Sequence, residues 1–396
     1  MAKLNKTETP VENKYWSLIT SDPDVFNDMI KEYGVKNTKA EELFTLDFEH
    51  LEEDGPVHGL IVITEFTEEP LEEGYDVVDP DEENIIFTSQ VVTNACGTLA
   101  IVGVLLNADI EEKGQILHSF EEFTNGFSPI NRGLCLGGSD EIRRIHNAYA
   151  PAHQIADNLL SASNQGVSSG KENQDVTDDY EIVYHYVTYI YKNGFLWKMD
   201  GLDNRPKKIC KCDKGDWLEM ARPHVEKRMF DSSNASIIAI KHDPYPKLVA
   251  ENEILKSNIK KMDKVVNNAT PVKKTTVKKH IQQFEKEADG SVESYSTLKT
   301  IWSELEHFTD DITEKAIHEL DRIREHQTQL ESRVKFDKES RKESCENVCR
   351  QKFDYFPFLE AIVKKAYKRN LIEDDEKPKS HKKQKTAKNT TKSKAK

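Results

Sequence analysis

Apolar residues follow different spacings along the first half of this chain, and each spacing predicts a different element. Residues 21–34 have helical spacing between a capping residue and a glycine stop. Residues 59–66 are rich in β-branched side chains and predict a buried strand. Residues 95–106 are apolar on every side, which predicts a fully buried helix. Residues 111–127 and 139–149 each have one apolar face, which is typical of helices packed on a core.

Residues 180–202 predict a β-hairpin. Two runs of β-branched and aromatic residues flank Asn193 and Gly194, the pair preferred in two-residue type I′ turns. With these two residues in the turn, Lys192 pairs with Phe195. That single pairing sets the register of the whole hairpin, because a slip of one residue would move every side chain to the other face.

The same register brings together two side chains of complementary chemistry. Asp200 lies opposite Val187, and His185 shares the face of Val187 because side chains alternate along a strand. His185 and Asp200 are then diagonal neighbours, roughly 7–8 Å apart at the backbone and within side-chain reach. A carboxylate fixes the tautomer of an imidazole and stabilises its protonated form, which suits a general acid/base. A purely structural hydrogen bond between the two is the alternative interpretation.

The second half of the chain predicts one more strand, at residues 236–243, and then helices without a core of their own. Apolar residues at heptad-like spacing predict a helix over 248–266. Residues 310–352 predict one long charged helix whose apolar positions form a single thin stripe. Such a helix needs a partner helix, in the same chain or in another. Residues 354–372 predict a last amphipathic helix.

Other segments lack apolar periodicity. Residues 1–11 predict a flexible leader, residues 150–179 a long polar loop and residues 267–293 a polar linker. Residues 373–396 predict a disordered tail, whose last twenty residues contain nine Lys and no acidic residue. Residues 68–83 hold nine acidic residues and no basic one. They predict a solvated loop or a surface that attracts a basic partner.

Composition restricts the class of protein and the cellular compartment in which we expect it. The chain has 396 residues, of which 32% are charged, a net charge of −14 and a mean hydropathy of −0.70. The longest apolar run is too short to cross a bilayer, and no apolar signal segment is present at the N-terminus, so we expect no membrane partner. Six cysteines make neither a disulfide scaffold nor a metal-ligand set. We therefore expect no metal, no cofactor and a location in the cytoplasm and nucleus.

Cys96 is the candidate nucleophile. It lies where a loop enters the buried helix, and the N–H groups at a helix N-terminus favour an anion, so we expect a lowered thiol pKa. Gln90 is placed to donate a side-chain N–H to a developing oxyanion, with the backbone N–H of Cys96 as second donor. Taken alone, Cys96 also fits a small buried residue. The other cysteines are interpreted as structural, with Cys135 expected in a loop.

These residues resemble the nucleophile segment of the ubiquitin C-terminal hydrolases. The family pattern of Gln, three residues, Asn, a small residue and Cys is filled by Gln90, Asn94 and Cys96. The family also has a strand His and, fifteen residues later, an Asp, which His185 and Asp200 match. The resemblance implies that Cys96 is the nucleophile and Gln90 an oxyanion-hole donor. It implies that His185 is the general acid/base and proton donor, and that Asp200 orients it.

The resemblance also implies a fold and an activity. It predicts an α/β protein with a papain-like helix–sheet–helix catalytic domain of knotted topology at residues 12–245. Residues 150–179 become the crossover loop above the active site. Residues 246–372 are similar to the helical C-terminal extension of the long-form, proteasome-associated members, and a disordered basic tail follows. The expected activity is that of a thiol protease cleaving amide, isopeptide or thioester bonds at the C-terminal glycine of ubiquitin.

The partners implied by the resemblance are ubiquitin, its conjugates and an adaptor. In the proteasome-associated type the extension, here residues 310–372, docks on an adaptor module of a proteasomal ubiquitin receptor, which activates the enzyme. A related module in a chromatin-remodelling complex inhibits it. The insertion near residues 267–307 departs from this pattern.

Several alternatives stay open at this point. Nuclear, histone-directed relatives share the extension and the basic tail, so a chromatin-associated deubiquitinase also fits. The tail is interpreted as a solvated nuclear-import or proteasome-contact segment in preference to a non-specific nucleic-acid binder. A non-catalytic ubiquitin-binding scaffold would explain the helices but not the filled catalytic positions. Transglutaminases and arylamine acetyltransferases share the order Cys, His, Asp but do not explain the extension.

Overall fold

The computed structural model describes residues 15–66, 82, 84–150, 184–268, 313–353 and 355–369. The predicted leader, linker and Lys-rich tail lie outside these residues, and so do nearly all of the acidic stretch and of the predicted crossover loop. The predicted knotted path depends on that loop, so it too lies outside the described residues.

One antiparallel sheet forms the centre of the fold. In chain order its strands are β1 Thr38–Leu43, β2 Val57–Glu65, β3 Tyr184–Lys192, β4 Phe195–Asp200, β5 Lys207–Lys211 and β6 Ser236–His242. Their order across the sheet is β1-β6-β2-β3-β4-β5, so the two strands that carry His185 and Asp200 lie inside the sheet and not at its edge.

Helices surround the sheet and continue into the C-terminal region. They are α1 Pro23–Glu32, α2 Cys96–Asn107, α3 Gln115–Phe123, α4 Pro129–Gly138, α5 Asp140–Asn147, α6 Trp217–Phe230, α7 Tyr245–Asn268, α8 Thr313–Lys352 and α9 Phe356–Lys368. In the part of the chain that the structure describes, no helix combines the length and the apolar character needed to cross a bilayer.

The sheet has a core on each face. Ile101 of α2 and Ile61 of β2 belong to the larger core, and Trp217 of α6 and Val62 of β2 belong to the smaller one. All four side chains are almost completely buried. This layering of helices on both faces of a sheet, followed by a helical C-terminal region, confirms the predicted fold class.

The predicted hairpin register is confirmed. Val187 pairs with Asp200, and Lys192 pairs with Phe195. The turn residue Asn193 has a φ of 53°, and the glycine that follows has a φ of 84°. A type I′ turn requires positive φ at both positions, which asparagine and glycine tolerate best.

Helix α4 corrects one prediction, because Cys135 lies within this helix and not in a loop. The helix starts with Ser128, whose side chain caps the N–H of Asn131, and a proline follows at the first helical position. Its glycines weaken the helical pattern in the sequence. Packing requires them, since a Cβ on Gly133 would lie 2.2 Å from the carbonyl oxygen of Ser89.

The long helix α8 has its partner helix in the same chain. It packs along α7, and Leu320 and Leu330 of its apolar stripe are buried, as is Leu255 of α7. The last turns of α8 reach α1, where Val348 joins the larger core and Lys352 pairs with Asp28. The thin apolar stripe is therefore covered within this chain.

The residues from Phe353 onward form a separate compact unit that contains α9. On this helix Phe358, Ile362 and Val363 are exposed by 61%, 47% and 54%. Three exposed apolar residues at helical spacing are typical of a surface that binds a partner.

Candidate active site

Helix α2 presents Cys96 as its first residue. The thiol accepts hydrogen bonds from the backbone N–H of Gly97 and from its own N–H. Burial raises the pKa of the Cys96 thiol, and these two N–H groups lower it by less, so the net shift is upward. The lowered pKa expected from the helix N-terminus is therefore wrong for this structure, because a thiolate at this partly buried site loses much of its solvation.

A strained turn leads into the nucleophile helix. Asn94 has a φ of 65°, in the left-handed region that asparagine tolerates better than most residues. Its side-chain amide donates to the carbonyl oxygen of Trp16 at 3.1 Å. The Trp16 ring in turn makes a T-shaped contact with the buried His146 ring, with centroids 4.8 Å apart. The turn before Cys96 is thus tied to the N-terminal segment and to the end of α5.

Gln90 is docked against the segment that follows Asp200. Its backbone N–H donates to the carbonyl oxygen of Gly201 at 2.7 Å. A Cβ on Gly201 would lie 3.3 Å from the Cβ of Gln90 and 3.4 Å from Leu99. The side-chain oxygen of Gln90 is buried and makes no hydrogen bond with the described residues. Gln90 and Cys96 line the same pocket, which also includes Met199.

Tyr186 is a site residue that the sequence did not reveal. It lines the same pocket as Cys96, and its hydroxyl is hydrogen-bonded to Ser21. Burial raises the pKa of Tyr186, and the negative charge of a Cys96 thiolate raises it further. The sequence signal that could have revealed Tyr186 is the alternation of side chains along a strand. The residue after His185 must point to the other face of β3.

His185 and Asp200 form a buried pair. The Nε2 of His185 donates to the Oδ1 of Asp200 at 2.7 Å, and both residues are only 5–6% exposed. The same oxygen accepts the backbone N–H of Leu202 at 3.0 Å. This arrangement leaves Nδ1 as the ring nitrogen that can exchange a proton with a reacting group.

The Asp200 carboxyl is held in its charged form. Burial raises the pKa of Asp200, but the hydrogen bond and charge of His185, the N–H of Leu202 and the charge of Lys198 together lower it by more. The net shift is downward, so the carboxylate is available to orient an imidazole and to stabilise its protonated form.

Comparison with known proteins identifies the family. The family model described as "Ubiquitin carboxyl-terminal hydrolase, family 1" matches residues 16–230, which is more than half of the chain. The chain belongs to this family.

Two curated relatives each match a little more than half of this chain. The "Ubiquitin carboxyl-terminal hydrolase isozyme L5" of Dictyostelium discoideum is 35% identical over 226 residues, which cover 57% of this chain and 60% of the relative. The "Ubiquitin carboxyl-terminal hydrolase ubh-4" of Caenorhabditis elegans is 32% identical over 225 residues, 56% of this chain and 64% of the relative. The match to this hydrolase thus spans less than two thirds of either relative.

A more distant relative and a solved structure were also found. The "Ubiquitin carboxyl-terminal hydrolase BAP1" of Xenopus tropicalis is 30% identical over 219 residues, 52% of this chain and 29% of the relative. The crystal structure of Trichinella spiralis UCH37 bound to ubiquitin vinyl methyl ester is 28% identical, with a TM-score of 0.46. It covers 60% of this chain and 87% of that one.

In this hydrolase the structure brings the predicted site residues together in two groups. Gln90 and Cys96 line one pocket, and His185 pairs with Asp200. Within the described residues, the Cys96 thiol and the His185 ring are not hydrogen-bonded to each other. The ring instead packs edge-on against Phe66, with centroids 5.8 Å apart.

No group of three or more His, Cys, Asp or Glu among the described residues of this hydrolase is arranged to hold a metal ion. The chemistry available at the site is that of a thiol, an imidazole, a carboxylate and a carboxamide. These are the groups that nucleophilic acyl transfer uses.

Proposed function

We propose that this hydrolase cleaves amide, isopeptide or thioester bonds at the C-terminal glycine of ubiquitin. The observation that carries the proposal is the buried His185–Asp200 pair, at 2.7 Å, whose histidine lies on β3, the strand packed against the helix that begins with Cys96. Family membership supplies the substrate class, and the names of the relatives support it.

The proposed mechanism assigns one step to each group. Nδ1 of His185 takes the proton of the Cys96 thiol, and the sulfur attacks the glycine carbonyl carbon. The oxyanion accepts hydrogen bonds from the Gln90 side chain and from the Cys96 N–H. His185 then gives its proton to the leaving amine as the acyl bond breaks. Water hydrolyses the resulting thioester, with His185 as base and Asp200 holding its orientation.

Substrate binding is proposed to align the two groups. The upward pKa shift of Cys96 keeps the thiol protonated near neutral pH, so attack requires a base within hydrogen-bond reach. Catalytic hydrogen bonds are often long in free enzymes and shorten in the complex with substrate. Displacement of the His185 ring from its edge-on contact with Phe66 would bring Nδ1 towards the thiol.

We also propose that the C-terminal region, residues 310–372, binds an adaptor that regulates the enzyme at the proteasome, in the cytoplasm and nucleus. The exposed apolar residues of α9 support a protein partner for this region. A chromatin-associated, histone-directed enzyme is the second candidate, because the extension and the basic tail resemble those of nuclear relatives. The tail that could contact nucleic acid lies outside the described residues.

The first test of the activity is hydrolysis of a fluorogenic C-terminal ubiquitin amide by the full chain. Replacement of Cys96 by Ala should abolish turnover, whereas Cys135→Ala, on α4, should leave it close to the unmodified chain. Retained ubiquitin binding in Cys96→Ala would show that the loss is chemical. An unmodified chain that binds ubiquitin without cleaving the amide would leave the scaffold interpretation instead.

A further inference from the structure

Lys198 is a buried lysine next to the site. It lies on β4 two residues before Asp200, so both side chains emerge on the same face of the strand. Only 8% of the residue is exposed. Its ammonium nitrogen lies 3.9 Å from Oδ2 of Asp200 and 4.0 Å from Oδ2 of Asp203. An ammonium group is costly to bury unless acidic groups compensate it, so its place between two carboxylates calls for an explanation.

The two oxygens of the Asp200 carboxylate have different partners. Oδ1 accepts hydrogen bonds from His185 and from the N–H of Leu202, whereas Oδ2 faces Lys198. A carboxylate with partners on both oxygens has fewer favourable orientations than one that is held at a single oxygen. The position of Lys198 therefore restricts rotation of the group that orients His185.

Positively and negatively charged side chains alternate beyond Asp200, in the order Lys198, Asp203 and Lys207. The charged groups around Asp200 are His185 from β3 and Lys198 from β4, and beyond them Asp203 and Lys207. Nζ of Lys207 lies 3.8 Å from Oδ2 of Asp203. Lys198 is therefore the one lysine of this series that contacts both carboxylates.

We propose that Lys198 is a positioning residue of the hydrolase site. Its ammonium group holds Oδ2 of Asp200, so that Oδ1 of the same carboxylate faces His185. The inference rests on the proposed function, because it assigns a role within that reaction. Loss of the ammonium group loosens the imidazole, which lowers kcat and leaves KM little changed.

A purely structural role is the competing explanation. Lys198 could be present only to neutralise Asp203, in which case its removal would harm the enzyme by taking one of the positive charges beside that carboxylate. The double variant Lys198→Met with Asp203→Asn separates the two roles. It removes the Asp203 charge together with the ammonium group but does not restore the contact with Asp200.

The experiment measures kcat and KM on the fluorogenic ubiquitin amide with the full chain. For Lys198→Met we expect kcat to fall roughly tenfold with KM little changed. Lys198→Arg should recover most of kcat, because it restores a positive charge beside Asp200. The double variant should remain as slow as Lys198→Met.

Controls separate this inference from the proposed function and from misfolding. Lys241→Met removes another buried lysine, which lies on β6 at 3.9 Å from Glu41, and should leave kcat and KM unchanged. Thermal unfolding reports folding, and Lys198→Gln replaces Lys198→Met if the latter does not fold. Recovery of kcat in the double variant, or an unchanged kcat in the single variant, would overturn the role of Lys198. Inactivity of the unmodified chain would instead overturn the proposed function.

Discussion

The backbone N–H of Gln90 donates a 2.7 Å hydrogen bond to the carbonyl oxygen of Gly201, the residue that follows Asp200. This bond connects the proposed oxyanion donor to the segment that ends the hairpin. The position of Gln90 relative to Cys96 therefore depends on a strand more than one hundred residues away in sequence. Because both ends of the connection belong to the proposed site, small changes at Gly201 should alter catalysis before they alter the fold.

Replacement of Gly201 by Ala tests this connection. The new Cβ would lie 3.3 Å from the Cβ of Gln90 and 3.4 Å from Leu99, closer than most real contacts, so Gln90 must shift by a few tenths of an ångström. We expect kcat to fall roughly tenfold, because oxyanion donors act only at well-defined distances. KM should change little. Steady-state kinetics on the fluorogenic ubiquitin amide give both values.

The matched control for this variant is Gly215→Ala. A Cβ at Gly215 meets no heavy atom within 4 Å, so this variant should keep the kcat of the unmodified chain. Equal kcat values for the two variants would show that Gln90 tolerates displacement, and its assignment as an oxyanion donor would then fail.

The raised pKa of Cys96 leads to a prediction about its reactivity without substrate. Burial moves the pKa of this thiol above its ordinary value of 9.0, so the free enzyme contains little thiolate at neutral pH. The rate of alkylation of Cys96 by iodoacetamide should rise with pH up to and beyond pH 9, as followed by mass spectrometry of the Cys96 peptide. A rate that is already constant below pH 7 would instead show a stabilised thiolate paired with His185.

The sequence predicted the register of the hairpin correctly. Asn193 and Gly194 are strongly selective for one turn type, and a two-residue turn permits one register. The pairing of His185 with Asp200 followed from that register alone. The same argument could not place Cys96 relative to His185. Their separation depends on which face of the sheet α2 covers and on ring packing against Phe66, and these are tertiary contacts that no local pattern encodes.

One helix and one pKa were not predicted correctly, because the local sequence pattern disagrees with the tertiary structure at both places. Helix α4 contains several glycines, whose low helix propensity outweighed the capping signal in the sequence. Packing of Gly133 against the Ser89 carbonyl explains why the helix needs them. The pKa of Cys96 was also mispredicted, because the helix N-terminus is visible in sequence whereas burial of the side chain is not. Tertiary context outweighed the local rule in both cases.

His146 leads to a prediction about stability at low pH. It is fully buried, with Nε2 2.6 Å from the carbonyl oxygen of Ser17 and Nδ1 2.7 Å from the hydroxyl of Thr98 on the nucleophile helix. Burial lowers the pKa of His146 from 6.5 to about 4, although the Ser17 carbonyl raises it in part. The folded state therefore keeps this ring neutral, whereas the unfolded chain binds a proton below pH 6.5.

The resulting stability is present above pH 6.5 and is lost as the pH falls towards 4, by about 3 kcal/mol for a shift of this size. Urea unfolding at pH 7, 5.5 and 4.5 measures the loss. His146→Gln removes the titrating group, so its stability should depend less on pH over this interval even though it is lower at pH 7. Parallel pH dependences for the two proteins would show that His146 does not titrate between these values.

The contact between α8 and α1 gives a prediction about the C-terminal region. Val348 is 4% exposed and belongs to the larger core, while Asn347 donates to Asp24 at 3.3 Å and Lys352 pairs with Glu32 at 3.2 Å. A carboxylate at position 348 would be buried without a compensating charge, at a cost of several kcal/mol. In Val348→Asp the last turns of α8 should leave α1, and amide hydrogen exchange there should quicken more than about tenfold.

Phe336→Asp is the matched control, since this α8 residue is 71% exposed and a charge there meets solvent. Its exchange pattern should match that of the unmodified chain, and exchange in α2 should be unchanged in both variants. If Val348→Asp exchanged as slowly as Phe336→Asp over the last turns of α8, the ion pairs and amide contacts would be sufficient to hold the helix. The buried valine would then contribute little to docking, although its exposed surface is almost zero.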